Sequence, residues 1–425
     1  MKKWWLGLFM TLAAACGFPR PPDVAGDGGG GGDDDQPTGC TRDQDCGGST
    51  PFCLDGACVA CKASDSCPAA RPVCDMTSHD CRTCVVDSEC DSGACDVAAG
   101  TCVEQGKILY VSPGGTVTDP CTRTMPCSFE HAATVVDAAR PYIVLGAGTY
   151  TQSPNFVQKT ATVVGAPDAV CEADNASFNI SNSTIWLRNF KTVRGHTPLQ
   201  AFGTRILYMN ATDSHLTIDD SDIDLSLAVA LRSGLEATIR NTKFAHGLLD
   251  MRGLLNVDRS TFTAGAAVQA TIGLDRVTIL NSVFLSSPGS NALQIASSGG
   301  GGATGMVQVA HNTFAGGGVA CSGVVNAQTV FGSNIFYNID TLAMTSECFY
   351  AYNLIVPFST VTGQHNITGD PMFVDAAGGD LHLTAGSPAI NVSDPAPSQP
   401  NGHDHDGKPR PPGAAADLGA YEYSP

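Results

Sequence analysis

Residues Val277-Thr278-Ile279-Leu280-Asn281-Ser282-Val283-Phe284 show the pattern from which the overall fold can be predicted. It begins with an alternation of apolar and polar side chains, which is typical of a half-buried β-strand. A polar pair follows, and the stretch ends on a large apolar residue two places after a small polar one. This pattern predicts a strand, a tight turn and the start of a second strand.

The same ending recurs in six segments. Its apolar residues are Ile223, Phe244, Phe262, Phe284, Phe314 and Phe336, at spacings of 21, 18, 22, 30 and 22 residues. One such unit cannot cover its own apolar face, so stacked units share a core. We therefore predict an all-β fold, a right-handed parallel β-helix solenoid with these side chains as an internal ladder. A polar ladder should form at the turn from Ser221, Thr242, Ser260, Ser282, Asn312 and Asn334.

Both ends of this region resemble known families. Residues 110–115 (YVSPGG) and 146–150 (GAGTY) are similar to the first coil of pectate-lyase-like β-helices, and a helix from Ala132 to Ala139 is expected to cap that coil. Residues 370–374 (DPMFV) and 417–423 (DLGAYEY) resemble the C-terminal module of choice-of-anchor Q proteins. The resemblance implies a β-helix over 107–390 and a C-terminal tail over 391–425. The fold alone does not imply an activity.

Twelve cysteines precede the β-helix region. They form three groups of four, each opening with C-x5-C and joined to the next by C-x2-C: Cys40, Cys46, Cys53, Cys58, Cys61, Cys67, Cys74, Cys81, Cys84, Cys90, Cys95 and Cys102. Such density after an export signal predicts a small disulfide-rich module of three two-disulfide units over 40–102. The pairing within each unit stays open. The spacing resembles cysteine-rich repeats of myxobacterial-type surface lipoproteins.

Two metal-based alternatives apply to this module. The junction pairs Cys58/Cys61 and Cys81/Cys84 have zinc-ribbon spacing, but zinc would leave the other thiols unexplained in an oxidising compartment. Acidic residues inside the C-x5-C loops of the first and third groups could contact calcium. The middle group has Ser64 and Ser66 at these positions, so capping of a tight turn is the preferred interpretation. The sequence therefore implies no cofactor, and calcium binding remains as an alternative.

The five later cysteines divide unevenly. Cys121 and Cys127 are expected to close a short loop. Cys321 and Cys348 lie 27 residues apart, close to one coil, so stacking could bring them within disulfide range. Cys171 remains without a partner and is expected to be buried.

The first 15 residues read as a signal peptide. Lys2 and Lys3 precede an apolar run that is too short to span a bilayer. Leu12-Ala13-Ala14-Ala15-Cys16 resembles a bacterial lipobox, which implies cleavage between Ala15 and Cys16 and lipidation of Cys16. Residues 16–39, rich in Gly, Asp and Pro, read as a flexible tether. We expect an outer-membrane lipoprotein, exposed at the surface and held by its lipid anchor.

One dense carboxylate group occurs on the predicted coils: Asp219, Asp220, Asp222 and Asp224. On a strand, Asp220, Asp222 and Asp224 would share one face, and Arg240 follows one coil later. A pectate-lyase-type site needs such carboxylates to bind calcium and a base to remove a proton, so these are the candidate catalytic residues. The alternative interpretation, which we prefer, is that inward Ile218 and Ile223 leave the acids to solvate the exterior.

A second cluster is His403-Asp404-His405-Asp406-Gly407. Alternating His and Asp could ligate a metal, so Asp404 and Asp406 are candidate ligands. Neighbouring side chains of an extended chain diverge, however, and the resembling family has a D-x-D-G turn here. A structural turn is therefore the preferred interpretation.

The composition limits the classes of function that the protein can have. The net charge of −18 excludes the basic surface that nucleic-acid binding requires. We expect a non-catalytic surface protein for binding, display or adhesion, with polysaccharide or another surface protein as its partner. The alternatives are a surface-tethered polysaccharide lyase or glycoside hydrolase, and a structural spacer.

Overall fold

The computed structural model describes residues 39–172, 178–193, 207–209, 214–224, 229–272, 276–297, 305–322, 329–342, 348–357, 363–395, 402–411 and 416–424. Contacts divide the chain into two compact units, one up to Ala60 and one from Cys61 onward. The first therefore contains only the first cysteine repeat, and the second contains the other two repeats with the long β region. Within the described residues, no helix is long and apolar enough to cross a membrane.

Each cysteine repeat is a short antiparallel hairpin preceded by one 3-10 turn. The turns are Asp43–Asp45, Ser64–Ser66 and Asp87–Glu89, and the hairpins are Phe52–Leu54 with Ala57–Val59, Val73–Cys74 with Cys81–Arg82, and Cys95–Asp96 with Thr101–Cys102. In every repeat the first cysteine pairs with the third and the second with the fourth. The bonds are Cys40–Cys53, Cys46–Cys58, Cys61–Cys74, Cys67–Cys81, Cys84–Cys95 and Cys90–Cys102. The disulfide-rich module is thus confirmed.

The acidic side chains in the repeats stabilise the 3-10 turns by accepting backbone hydrogen bonds. Asp43 accepts a hydrogen bond from Cys53 N at 2.8 Å, and Asp87 accepts one from Cys95 N at 2.9 Å. In the middle repeat the hydroxyl of Ser64 accepts the same bond, from Cys74 N at 3.2 Å. A serine oxygen replaces a carboxylate here because one acceptor is enough to fix the turn on the following strand.

The second unit contains a parallel β-helix of the right-handed type, as predicted. Its coils contribute strands to three faces. The front strands are Ile108–Val111, Tyr142–Leu145, Thr160–Gly165, Thr184–Arg188, Ser214–Asp219, Val277–Leu280, Val307–Ala310, Thr329–Gly332 and Phe349–Ala351. The back strands are Asn155–Val157, Phe178–Ser181, Leu207–Met209, Ala267–Ile272, Asn291–Ser297, Gly318–Ser322 and Thr341–Leu342. Val229–Arg240 and Leu248–Asp258 run through both faces.

The third face carries the predicted ladder. Its strands are Gly148–Tyr150, Ala169–Glu172 and Thr192–Val193, followed by Asp222–Asp224, Lys243–Ala245, Thr261–Thr263, Val283–Leu285, Thr313–Ala315, Ile335–Tyr337 and Leu354–Ile355. Five phenylalanines from Phe244 to Phe336 stack with ring centroids 4.6 to 5.1 Å apart. Ile223 precedes them and Ile355, which the sequence pattern missed, follows.

The polar ladder also forms at the turn between the front and third faces. Five side-chain oxygens accept a hydrogen bond from a backbone N–H of the preceding coil: Ser221 from Phe190, Ser260 from Thr242, Ser282 from Ser260, Asn312 from Ser282 and Asn334 from Asn312. The hydroxyl of Thr242 instead donates to the carbonyl oxygens of Ile218 and Arg240. Asn353 continues the series by accepting from Asn334. These oxygens satisfy buried donors that the turn would otherwise leave without partners.

The two ends differ in detail from the sequence prediction. The capping helix spans Phe129–Val135, begins after the N-cap Ser128, and ends before Ala139. It ends early because the Asp137 carboxylate accepts the N–H groups of Ala139 and Arg140 and so forms a turn.

The parallel pairing stops before residue 390, where we placed the boundary of the β-helix. The last parallel bridge joins Leu354 to Ile367. Phe373–Asp375 and Asp380–Leu383 then form an antiparallel hairpin. From there the tail packs along the third face, where Arg410 binds Asn281 and His405 binds Thr261.

Candidate functional site

Asp219 lies in a row of alternating charges rather than in an open carboxylate cluster. Arg188, Asp219, Arg240 and Asp258 occupy the same position of four successive front strands. Arg240 holds Asp219 through two hydrogen bonds of 2.8 Å, and Trp186 Nε1 donates to Asp219 at 2.6 Å. Asp219 is 7% exposed. Its oxygens are therefore engaged by the protein itself.

The row continues into the third cysteine repeat. Arg188 Nη2 lies 2.8 Å from Asp87 Oδ1, with both side chains nearly inaccessible to solvent. The same Arg188 nitrogen donates to Cys95 O at 3.0 Å, and Asn189 Nδ2 donates to Asp87 Oδ2 at 3.1 Å. Burial raises the pKa of Asp87, although the charge of Arg188 opposes that shift.

Asp220 does not share a strand face with the later acids, which corrects our sequence-based arrangement. It adopts φ of 49° at the turn between two strands, where successive coils place residues in the left-handed region. These residues are Asn189, Asp220, Asn241, Arg259, Asn281, His311, Ser333 and Tyr352. Asn and Asp tolerate this conformation better than most residues, so Asp220 occupies a turn position. Asn241 Nδ2 binds its carboxylate.

Asp222 and Asp224 lie on the next strand. Asp222 is exposed and lies opposite Lys243 in the parallel register. Asp224 Oδ1 is 3.4 Å from His246 Nδ1. The turn at Asp220 separates both from Asp219, so the four acids do not converge on one point.

The other predicted cluster, residues 403–407, forms a turn, and its two aspartates have different partners. Asp404 is fully buried and accepts the N–H groups of Lys408 and Glu422 at 2.8 and 3.0 Å. Among the described residues, the only groups of three His, Cys, Asp or Glu with metal-binding proximity are cysteines that already form disulfides. The Asp404 carboxylate therefore accepts backbone hydrogen bonds within the tail.

Asp406 takes part in a contact that sequence reasoning missed. His382 lies between two carboxylates, with Nδ1 2.6 Å from Asp380 and Nε2 3.0 Å from Asp406. Burial lowers the pKa of His382, but the hydrogen bonds to Asp406 and Asp380 outweigh it and the net pKa is raised. The pattern Asp380-x-His382 on a hairpin was the available signal, but the partner Asp406 lies 24 residues later.

A groove of about 370 Å³ lies between the third cysteine repeat and the first coils. Its walls are mainly apolar, from Val86, Val144, Val164 and Pro167, and Asp87 also lines it. Arg188 and Asn189 hold this carboxylate, so the groove offers few free polar groups.

The front face carries a third arrangement, which we call the outer row. It consists of the outward side chains at one position of nine successive coils: Thr162, Trp186, Thr217, Thr238, Asn256, Thr278, Gln308, Val330 and Phe349. None is charged. The four threonines, Asn256 and Gln308 are half-buried, and their side chains make no hydrogen bond among the described residues.

The remaining cysteines pair as Cys121–Cys127 and Cys321–Cys348. Cys171 is free and buried, and burial raises the pKa of its thiol to about 12, so it is a poor nucleophile. Ala15 and Cys16, the predicted cleavage and lipidation residues, lie outside the described part of the chain.

Comparisons with known proteins identify no family. No family model matches the chain, and no curated protein matches it. Among solved structures, the chain is similar to the crystal structure of pectate lyase Pel9A, with 15% identity and a TM-score of 0.39 over 75% of this chain and 96% of that one. No conclusion on activity rests on this similarity.

Proposed function

We propose that the protein is an exported lipoprotein of the outer membrane. Its β-helix acts at the cell surface as a non-catalytic module for binding or display, with polysaccharide or another surface protein as its partner. Support for the anchor comes from the Leu12-to-Cys16 pattern, which follows a short apolar run and precedes a polar tether. Loss of fatty-acid labelling in a Cys16→Ser variant tests it. Unchanged labelling and membrane fractionation of that variant would contradict it.

The non-catalytic part of this proposal is supported by one observation, the two-bond contact between Arg240 and Asp219. A lyase needs a base that can lose its proton near neutral pH. The hydrogen bonds to Asp219 instead raise the pKa of Arg240. The nearest cation to the acidic group is thus held protonated, which is the wrong direction for a base.

A hydrolase would need two free carboxylates about 5 to 10 Å apart. Asp219 is engaged by Arg240 and Trp186, and Asp220 by Asn241. Both carboxylates thus stabilise the coils, which favours a binding or display role for the surface around them.

The test is an activity assay of the mature protein on polygalacturonate, alginate and neutral polysaccharides, with and without calcium. We expect neither unsaturated product, followed by its absorbance, nor new reducing ends. A glycan array run in parallel should reveal the bound class. Calcium-dependent product that disappears in an Asp220→Ala, Asp222→Ala double variant would overturn the proposal, because calcium could neutralise these acids.

A further inference from the structure

The outer row is a continuous uncharged track on a protein of strongly negative charge. Nine aligned side chains carry no charge, whereas the chain as a whole has a net charge of −18. The row on one side contains the charges of Arg188, Asp219, Arg240 and Asp258, of which Asp219 and Arg240 bind each other directly. The row on the other side contains the exposed pair His215 and Glu236, whose Nδ1 and Oε2 lie 3.0 Å apart. A polyanion would be repelled by the net charge, so the track favours an uncharged ligand.

The chemistry of the row is amphipathic. Its centre presents four hydroxyls or amides from consecutive coils, namely Thr238, Asn256, Thr278 and Gln308. An aromatic ring lies near each end: Trp186 at the second position, oriented by its hydrogen bond to Asp219, and Phe349, 41% exposed, at the ninth. Hydroxyl and amide groups can donate to and accept from sugar hydroxyls, and aromatic rings cover their apolar faces.

The period of the row matches an extended chain. Adjacent strands of a sheet lie about 4.8 Å apart, close to the roughly 5 Å by which one sugar advances an extended polysaccharide, so each coil would present one polar group for each sugar. The eight steps of the row then span about 38 Å. A protein partner fits less well, because the cores of protein interfaces are enriched in aromatic and other apolar residues, and the centre of this row has none.

We infer that the outer row binds an extended, uncharged polysaccharide parallel to the axis of the β-helix, with about one sugar for each coil. This inference rests on the proposed binding function and specifies its site and ligand class. The back face provides a contrast, because its two outward glutamines, Gln269 and Gln294, lie between Asp250 and Ala320 and form no long uncharged row.

Isothermal titration of the full mature protein tests the inference. The probes are linear gluco-, xylo- and manno-oligosaccharides of increasing length, with oligogalacturonates as the charged comparison. We expect at least one neutral series to bind with an affinity that rises with length until the row is filled. An Asn256→Ala, Gln308→Ala variant should weaken binding about tenfold or more, because it removes two ligand hydrogen bonds.

The matched control is the Gln269→Ala, Gln294→Ala variant, which removes two half-exposed amides from the back face and should bind like the wild type. If a neutral glycan binds but the front variant binds as tightly as the control, the site is wrong while the proposed function stands. Preference for the oligogalacturonates would overturn the ligand class. If no glycan binds to either variant or to the wild type, polysaccharide fails as the ligand of the proposed function as well.

Discussion

At the scale of single residues, position within the coil decides what an acidic side chain does. Asp219 and Asp220 are neighbours, yet one stabilises a charge row and the other occupies a left-handed turn. Both roles recur in adjacent coils, with Arg188 and Asn189 before them and Arg240 and Asn241 after. A dense acidic motif can therefore result from two structural ladders that lie side by side in sequence.

His382 of the hairpin and His405 of the tail should respond to pH in opposite directions. The pKa of His382 is raised by Asp406 and Asp380 against the effect of burial, and its ring also packs 4.0 Å from Tyr421. A neutral imidazole has one N–H and can donate to only one of these carboxylates. The stability that His382 contributes is therefore present below about pH 6.5, the unfolded pKa, and is lost as the pH rises through the folded pKa.

For His405, burial lowers the pKa, and the charges of Asp406 and Asp404 only partly oppose it. His382 and Arg259 lower it further, and Nε2 faces the Thr261 hydroxyl at 3.0 Å. Its stabilising effect is therefore present above about pH 6.5 and is lost as the pH falls through the folded pKa.

Proton NMR of the two rings should thus give a pKa above about 6.5 for His382 and below it for His405. Thermal melting should show that His382→Gln lowers the stability of the protein, relative to wild type, more at about pH 5.5 than at about pH 8. An equal loss at both pH values would mean that the two carboxylates do not hold the imidazolium.

At the scale of elements, the phenylalanine ladder joins five successive coils through their interior. Phe262 and Phe284 are fully buried and stack at 4.6 Å with their planes 2° apart. A Phe284→Ala variant leaves a cavity inside a stack that cannot collapse from both sides, so we expect it to lower the free energy of unfolding by about 3 to 5 kcal/mol.

Urea denaturation followed by circular dichroism measures this loss. Phe349→Ala is the control, since this ring is partly exposed at the end of the row, and we expect a loss of about 1 kcal/mol or less. Equal losses in the two variants would show that the stack is not what stabilises the coils.

Recurrence explains why the ladder could be predicted and other elements could not. A coil repeats the same environment, so Ile223 and its five aligned phenylalanines are visible as a pattern. The cysteine pairing has three solutions per repeat at similar spacings, and only the fold selects one. The path of the tail depends on single long-range contacts, such as Arg410 with Asn281, which leave no periodic signal.

The candidate site was harder to predict for the same reason. The acids were found by their density, but density does not reveal that Asp219 is bound by Arg240 and Trp186. The outer row was present in the alternation of each front strand, although the register that aligns Thr238 with Asn256 and Thr278 is visible only once the coils are stacked.

At the scale of the whole molecule, an apolar cluster and two Arg–Asp pairs of unequal burial join the third cysteine repeat to the β-helix. Arg188 and Asp87 are 5% and 6% exposed, whereas Arg123 and Asp91 are 46% and 83% exposed. Removing one partner of a buried pair leaves a charge without compensation, which costs far more than the loss of a surface pair.

We therefore expect Arg188→Ala to lower the free energy of unfolding by about 3 kcal/mol or more and to speed hydrogen exchange in the third repeat. Arg123→Ala, which breaks the exposed pair between the same two parts, should cost about 0 to 1 kcal/mol. Thiol titration of both variants should still find the six repeat disulfides intact. If the two variants lose equal stability, the buried pair is not the main attachment.

The bond between Cys321 and Cys348 has a mechanical consequence. Hydrogen bonds between coils run along the axis of a β-helix, so a force that pulls on the C-terminus separates coils one after another. Once this separation reaches Cys348, the disulfide transmits the force directly to Cys321, so the segment between these two cysteines, which lie 27 residues apart, cannot extend. Reduction of the disulfide would release that segment, so the reduced protein would lengthen further under the same force.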